Sequence, residues 1–287
     1  MLLSKINKSA FGTEIIDIHQ SSLRRIALCL QYDGSSYCGW QRQINALSVQ
    51  EVLEAALTKL NNCHPVITFA AGRTDAGVHA AAQVVHFDTD NLIPAHRWAS
   101  ALNGYLPSSI RVYEATQVPS NWHACYSAIY RRYRYTVLNS RQPNLFLAPY
   151  SWHRYKDTLD ECIMRRSMGK LVGEHDFSAF QRAGSSRSHS ITTIQDMKVQ
   201  RHGELIVLEI QASGFLYGMV RLIVSQLVEV GAGRLSEFEF ERRWRSKHRS
   251  EINEAAPAQG LCLVQVGYPQ KVFSTTSINY DFTSFLI

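Results

Sequence analysis

The 287-residue sequence lacks the common signatures of nucleotide, metal and membrane chemistry. It holds no Gly-x-x-x-x-Gly-Lys phosphate loop and no Gly-x-Gly-x-x-Gly fingerprint, so a nucleotide cofactor is not expected. None of its 11 histidines stands at His-x-x-x-His spacing, and a metal is not expected either. The six cysteines, Cys29, Cys38, Cys63, Cys125, Cys162 and Cys262, include no Cys-x-x-Cys pair. Met1 to Gln20 breaks up its apolar residues with Lys5, Lys8, Glu14 and Asp17 and has no signal-peptide core. No apolar run approaches membrane-spanning length. Together these absences lead us to expect reduced thiols, a cytoplasmic setting and no membrane partner. Acidic residues are also in deficit, 24 against 30 Lys and Arg, for a net charge of +6. An anionic partner follows most simply, with nucleic acid first. A hydrophobic content of 45% with 19% charged residues marks an ordinary folded chain.

What is present is a pattern of alternating strands and helices. Arg25 to Tyr32 reads as a strand ending at the Asp33-Gly34 turn. Ser48 to Lys59 has helical spacing at Val49, Val52, Leu53, Ala56 and Leu57, with Ser48 as N-cap and Glu51 three residues on. Val66–Ala71 and Val84–Phe87 read as strands, Pro94–Leu102 as a helix with proline in its first turn, and Ile110–Ala115 as a strand. That order is β-α-β-β-α-β. The second half repeats it: Tyr133–Leu138, a helix over Leu159–Leu171, a hairpin of Ile194–Val199 and Leu205–Ala212 around His202-Gly203, an apolar helix over Phe215–Val230, and a strand over Leu261–Val266. The expected class is α+β: two tandem split β-α-β halves, ferredoxin-like or RRM-like, with mixed, largely antiparallel sheets. We expect an N-terminal extension over 1–22, halves over 23–121 and 122–270, and a tail over 271–287. Pro143–Pro149 and the basic run Gly184–Ser190 read as loops.

Three runs carry candidate chemistry. Gly72-Arg73-Thr74-Asp75-Ala76-Gly77-Val78-His79 sets a lone carboxylate in a glycine-bracketed turn. That suits a nucleophile beside a phosphate-binding guanidinium, and equally a simple turn cap. Arg131-Arg132-Tyr133-Arg134-Tyr135 on a strand puts both tyrosines on one face and Arg132 and Arg134 on the other. Such a strand can stack bases and grip phosphates, or bury its tyrosines in a core. Arg221 interrupts an apolar helix and must either meet a partner, with Asp75 a candidate, or reach water.

Taken in order, these runs resemble the TruA family of tRNA pseudouridine synthases, over about Arg24 to Tyr268. The resemblance is carried by Tyr32-Asp33-Gly34-Ser35-Ser36-Tyr37-Cys38-Gly39-Trp40-Gln41, by Ala71 to His79, by Arg132-Tyr133-Arg134-Tyr135, by Gly173-Glu174-His175-Asp176-Phe177 with Phe180, by Phe215 to Arg221 with Val228-Glu229-Val230-Gly231, and by Ala256-Pro257-Ala258-Gln259-Gly260-Leu261. It implies a pseudouridine synthase fold and a cofactor-free, metal-free isomerase acting as a homodimer. Its implied substrate is a uridine at positions 38–40 in the anticodon arm of tRNA, detached at N1–C1′, turned and rejoined through C5. By the same resemblance Asp75 is the catalytic aspartate, Tyr133 stacks on the target base and takes part in proton transfer, and Arg221 pairs with the carboxylate. Arg73 helps hold the uridine out of its stack, and Leu261 lines the base pocket.

Some positions depart from the family pattern. Cys125 follows His123-Ala124 where an arginine is common, Ser213 replaces a usual Asn, and Gly218, Leu222 and Ser225 stand for residues that are often His, Asn and Gly. The Cys125 change bears on one RNA contact that the resemblance would imply, and so on the affinity for tRNA substrates or their breadth. Two other classes compete. A non-catalytic RNA-binding protein with RRM-like halves explains the charge and the Tyr-Arg strand but leaves Asp75 without a task. A magnesium-dependent phosphohydrolase would use Asp33 as nucleophile, but the second aspartate two residues on is absent.

Overall fold

The computed structural model describes residues 23–182, 184, 189–252 and 254–274. The expected extension over 1–22, the centre of the Gly184–Ser190 loop and the tail from 275 onward lie outside them. The first half contains β1 (Arg24–Tyr32), α1 (Val49–Leu60), β2 (Phe69–Ala70), β3 (His79–Thr89), α2 (Trp98–Asn103) and β4 (Ile110–Val118). The second contains β5 (Tyr130–Leu138), β6 (Trp152–His153), α3 (Glu161–Gly169), β7 (Gly173–Asp176), β8 (Ile191–His202), β9 (Leu205–Ala212), α4 (Met219–Gly231), α5 (Glu237–Arg245) and β10 (Leu261–Gly267).

All ten strands belong to one sheet, in the order β4-β1-β3-β10-β5-β9-β8-β7, with β2 beside β3 and β6 beside β5. Each half shows its fourth, first, third and second main strands in turn, which is the split β-α-β arrangement expected. The pairing is antiparallel except at β3–β10 and β5–β6. The halves fuse where β10 runs parallel to the start of β3, Cys262 opposite His79.

β2 shares the same edge of β3 at its other end. The sequence predicts a strand over Val66–Ala71, but only Phe69 and Ala70 pair, opposite His86 and Val85. At the start of that edge His79 and Ala80 pair with β10, so backbone groups there are satisfied by the second half.

Local signals explain the helices. The Ser48 hydroxyl accepts from the Glu51 N–H at 3.2 Å, capping α1 as expected. Asp160 caps α3 through the N–H groups of Cys162 and Ile163. The helix predicted over Phe215–Val230 begins only at Met219, because Gly218 adopts a left-handed φ of 72°. Arg221 therefore stands in its first turn. Buried Leu222, Ile223, Val224, Leu227 and Val228 set α4 in the main core, where α3 and α5 pack against it, each contributing about 1.5–3 kcal/mol relative to exposure. Helix α5 is absent from the sequence-based reading because it is mostly charged. Only Phe240 and Trp244, one turn apart, are buried, and Ser236 caps it. These two rings pack on Phe177 and Phe180 in an aromatic layer, Trp244 against Phe177 and Phe240 against Phe180. All six cysteines are free thiols, and no helix among the described residues is long and apolar enough to cross a membrane.

Candidate active site

Asp75 lies in the turn between β2 and β3, and two neighbouring segments fix that turn. The Val78 N–H donates to the Asp75 carbonyl at 3.1 Å, and Gly77 takes a φ of 75°, which a side chain would oppose. The loop after β1 cradles the turn from below. The Trp40 N–H donates to the Thr74 carbonyl at 3.1 Å, and the Gly77 N–H donates to the Tyr37 carbonyl at 3.2 Å. Backbone meets backbone so closely that a Cβ on Gly34 would sit 2.1 Å from the Val78 oxygen, and one on Gly39 2.5 Å from the Thr74 oxygen. The run Tyr32 to Trp40 thus shapes the Asp75 turn. Side chains complete the hold. Tyr32 Oη and Thr74 Oγ1 are hydrogen-bonded at 2.8 Å, and Gln83 Nε2 donates to the Gly72 carbonyl at 2.7 Å.

His79 ties this turn to the second half. Its Nδ1 accepts from the Gly34 N–H at 3.1 Å, and its Nε2 lies 3.0 Å from the Pro149 carbonyl. Burial pushes the imidazole's pKa down, against the pull of Asp33. The neutral ring with its proton on Nε2 satisfies both contacts, so the 3.3 Å approach to Asp33 is a contact of a neutral group. Tyr150 Oη donates to Asp33 at 3.0 Å.

The carboxylate itself meets one cation. Arg221 Nη1 lies 3.3 Å from Asp75 Oδ2, and the two side chains keep 14% and 18% exposure. Arg221 Nε donates to the Ala256 carbonyl at 2.7 Å, while the Ala256 N–H donates to the Arg221 carbonyl at 3.0 Å. The strap Ala256–Gly260 therefore aims the guanidinium. It also receives the Tyr135 hydroxyl on the Pro257 carbonyl at 2.8 Å, and a Cβ on Gly77 would be 3.2 Å from Ala258. Leu261, 5% exposed, follows directly and opens β10.

Tyr133 rises from β5 beside the same turn; its hydroxyl would be 3.7 Å from a Cβ on Gly72. Burial, then the charges of Tyr32 and Asp75, drive its phenol pKa well upward, so the hydroxyl keeps its proton. Phe215 meets the ring edge-to-face at 5.0 Å. Arg73 is exposed and makes no ion pair among the described residues.

Of the two sequence-based readings of the Arg131–Tyr135 strand, phosphate grip or a half-buried strand, its arginines make the contacts of the second. Arg131 is buried and donates to the carbonyls of Ala71, Cys125 and Ser213. Arg132 meets Gln211, and Arg134 meets Glu209 at 2.7 Å. These cations satisfy internal acceptors on neighbouring strands, the arrangement expected of a half-buried strand. Cys125 and Ser213, two of the departures, take part as Arg131 acceptors.

The sequence pattern of a known family, described as tRNA pseudouridine synthase, matches residues 28–127 and 168–269. The chain belongs to this family. It is accordingly an isomerase whose substrate is tRNA. The matched stretches include Arg73, Asp75, Arg221 and Leu261 and leave out Tyr133. Similar proteins include tRNA pseudouridine synthase A of Synechococcus sp. (strain CC9902), 62% identical over 255 residues, 89% of this chain and 85% of the relative. That of Prochlorococcus marinus (strain MIT 9303) is 61% identical over 265 residues, 92% and 90% of the two chains. A chain in the crystal structure of a Cbf5–Nop10–Gar1 complex aligns with a TM-score of 0.35 at 10% identity, covering 83% of this chain and 49% of that one.

Several residues that shape the candidate site were not singled out from sequence. They are Gln83, Phe215, His79 and the Ala256–Ala258 strap. Phe215, His79 and the strap lie inside family motifs, as do Gly34 and Gly39, but nothing in the spacing says which backbone the two glycines approach.

Proposed function

We propose that this tRNA pseudouridine synthase acts on uridines in the anticodon arm, at positions 38–40, through Asp75. The N1–C1′ bond breaks, the uracil turns, and a C5–C1′ bond forms; C5 loses a proton and N1 gains one, so no co-reactant is consumed. Attack at C1′, attack at C6 of the base and removal of a ribose proton all require the same ionised, directed oxygen. The observation that carries this role is the partly exposed Asp75 carboxylate, met by Arg221 from another element at 3.3 Å. In this reading Arg221 positions the carboxylate, Tyr133 offers its ring to the base and its hydroxyl for proton transfer, and Leu261 bounds the base pocket. Arg73 fills the position that the uridine vacates and meets phosphates, offsetting part of the few kcal/mol that base flipping costs. The net charge of +6 supports the encounter with RNA. The enzyme is proposed to work as a cytoplasmic homodimer without a cofactor.

The test is to map pseudouridine in unmodified tRNA transcripts incubated with the purified protein. Modification at positions 38–40 is expected. Modification confined to other arms would refute the site assignment, and tight binding without any modification would refute the catalytic role.

A further inference from the structure

On the segment that enters α4, one exposed pair takes no part in the chemistry proposed above. Arg182 lies just beyond the buried Phe177 and Phe180, which anchor its stretch of chain to the core. Its N–H donates to the Tyr217 carbonyl at 3.0 Å. Its guanidinium carbon stands 5.5 Å from the centroid of the Tyr217 ring. Tyr217 is 43% exposed. Arg182 is exposed too and has no carboxylate partner among the described residues. That sets it apart from Arg132, Arg134, Arg234 and Arg242, each of which meets an acidic side chain.

The seat for this arginine is cut into the backbone. A Cβ on Gly218 would fall 2.4 Å from Arg182 Cδ and 2.6 Å from Cγ. The stem of Arg182 therefore occupies the space that a side chain at position 218 would need. The left-handed φ of Gly218 also ends the irregular segment and starts α4. On the same short stretch Phe215 packs on Tyr133 and Arg221 meets Asp75. The Arg182–Tyr217 pair is thus joined by a few residues of chain to both groups.

We propose that Arg182, stacked on Tyr217, binds a tRNA phosphate flanking the target uridine. This rests on the assignment of Asp75, Tyr133 and Arg221 to the site. A guanidinium lying on an aromatic face is partly desolvated and held in direction, while its N–H edge stays available for a bidentate phosphate contact. Gly218 replaces a side chain at the site's edge with the more distant, charged end of Arg182.

Arg182→Gln separates this role from a structural one, because glutamine retains the Cβ, Cγ and Cδ positions that fill the space beside Gly218. With the full-length protein and an unmodified tRNA transcript, the variant is expected to bind roughly 3- to 10-fold more weakly at low salt. The slope of log Kd against log salt should fall by about 0.7–0.9, and the loss in steady state should enter KM more than kcat. Arg182→Lys should restore the slope but only part of the affinity. An unchanged slope in Arg182→Gln overturns the proposal, whatever happens to the melting temperature. A wild-type enzyme that modifies only other arms of the tRNA would refute the anticodon-arm assignment and leave the slope comparison intact.

Discussion

Gly39→Ala is predicted to damage catalysis far more than tRNA binding. The added Cβ would lie 2.5 Å from the Thr74 oxygen and 3.0 Å from the Asp75 carbonyl carbon. Both are backbone atoms, so no side chain can swing aside. Restoring an ordinary van der Waals separation takes about 1 Å of movement. Thr74 is held by Tyr32 at 2.8 Å and by the Trp40 N–H at 3.1 Å, so the displacement passes into Asp75. Its contact with Arg221, already 3.3 Å, then leaves hydrogen-bonding range. A misplacement of about 1 Å can cost ~100-fold in rate. The left-handed φ of 92° at Gly39 adds about 1–2 kcal/mol of destabilisation for alanine. Single-turnover conversion of a tRNA transcript at saturating enzyme, with Kd and a thermal melt alongside, measures all three effects. The expected result is a rate lowered roughly 10- to 100-fold, a Kd close to wild type and a slightly lower melting temperature. A folded variant that converts uridine at the wild-type rate would refute the idea that the Tyr32–Trp40 loop sets the position of Asp75.

Three further outcomes follow from the same geometry. Arg221→Lys retains the charge but cannot serve both Asp75 and the Ala256 carbonyl, so kcat should fall about 10-fold or more with little loss of stability; wild-type kcat would show that the pairing is dispensable. Tyr133→Phe leaves the ring and its edge-to-face contact with Phe215 in place, so tRNA affinity should hold while turnover drops sharply; equal turnover would remove the hydroxyl from the reaction. Burial, helped by His123 and Arg25, pushes His86 down to about 4. Its Nδ1 accepts the Ala124 N–H at 3.2 Å. Above the ordinary histidine value of about 6.5 both folded and unfolded states hold it neutral. As pH falls below that value the unfolded chain takes up the proton first, so stability declines until the folded value near 4. Melting temperatures of wild type and His86→Gln should therefore converge on acidification from pH 7 to 4, and a constant difference would contradict the assignment.

The sequence carried the fold because its apolar periodicities were strong and its strand order repeated. It misjudged elements whose form depends on distant partners. Val66–Ala71 has the composition of a full strand, yet only Phe69 and Ala70 pair with β3, because side chains of α1 take the Thr68 backbone, Glu54 accepting its N–H and Gln50 donating to its carbonyl. The start of α4 is set by a single left-handed glycine inside an apolar run. Helix α5 was hidden by its charges, which pair along its own surface, Arg242 and Arg243 with Glu239 and Arg245 with Glu241. Asp75 and Arg221 were named as partners from chemistry and resemblance, and they meet. The three arginines around Tyr133 could be read as RNA ligands or as part of a half-buried strand, because a strand's periodicity shows which face a side chain takes, not what waits there. In the folded chain the facing acceptors are Ala71, Gln211 and Glu209.

The most direct test of the Asp75 assignment is pseudouridine formation by Asp75→Asn, measured in a single turnover on a tRNA transcript whose binding to the variant is measured in the same solution. Asparagine retains the size and the turn but removes the charge that Arg221 meets. The predicted result is bound tRNA with no pseudouridine. Pseudouridine formed at the wild-type rate by this variant would contradict the account.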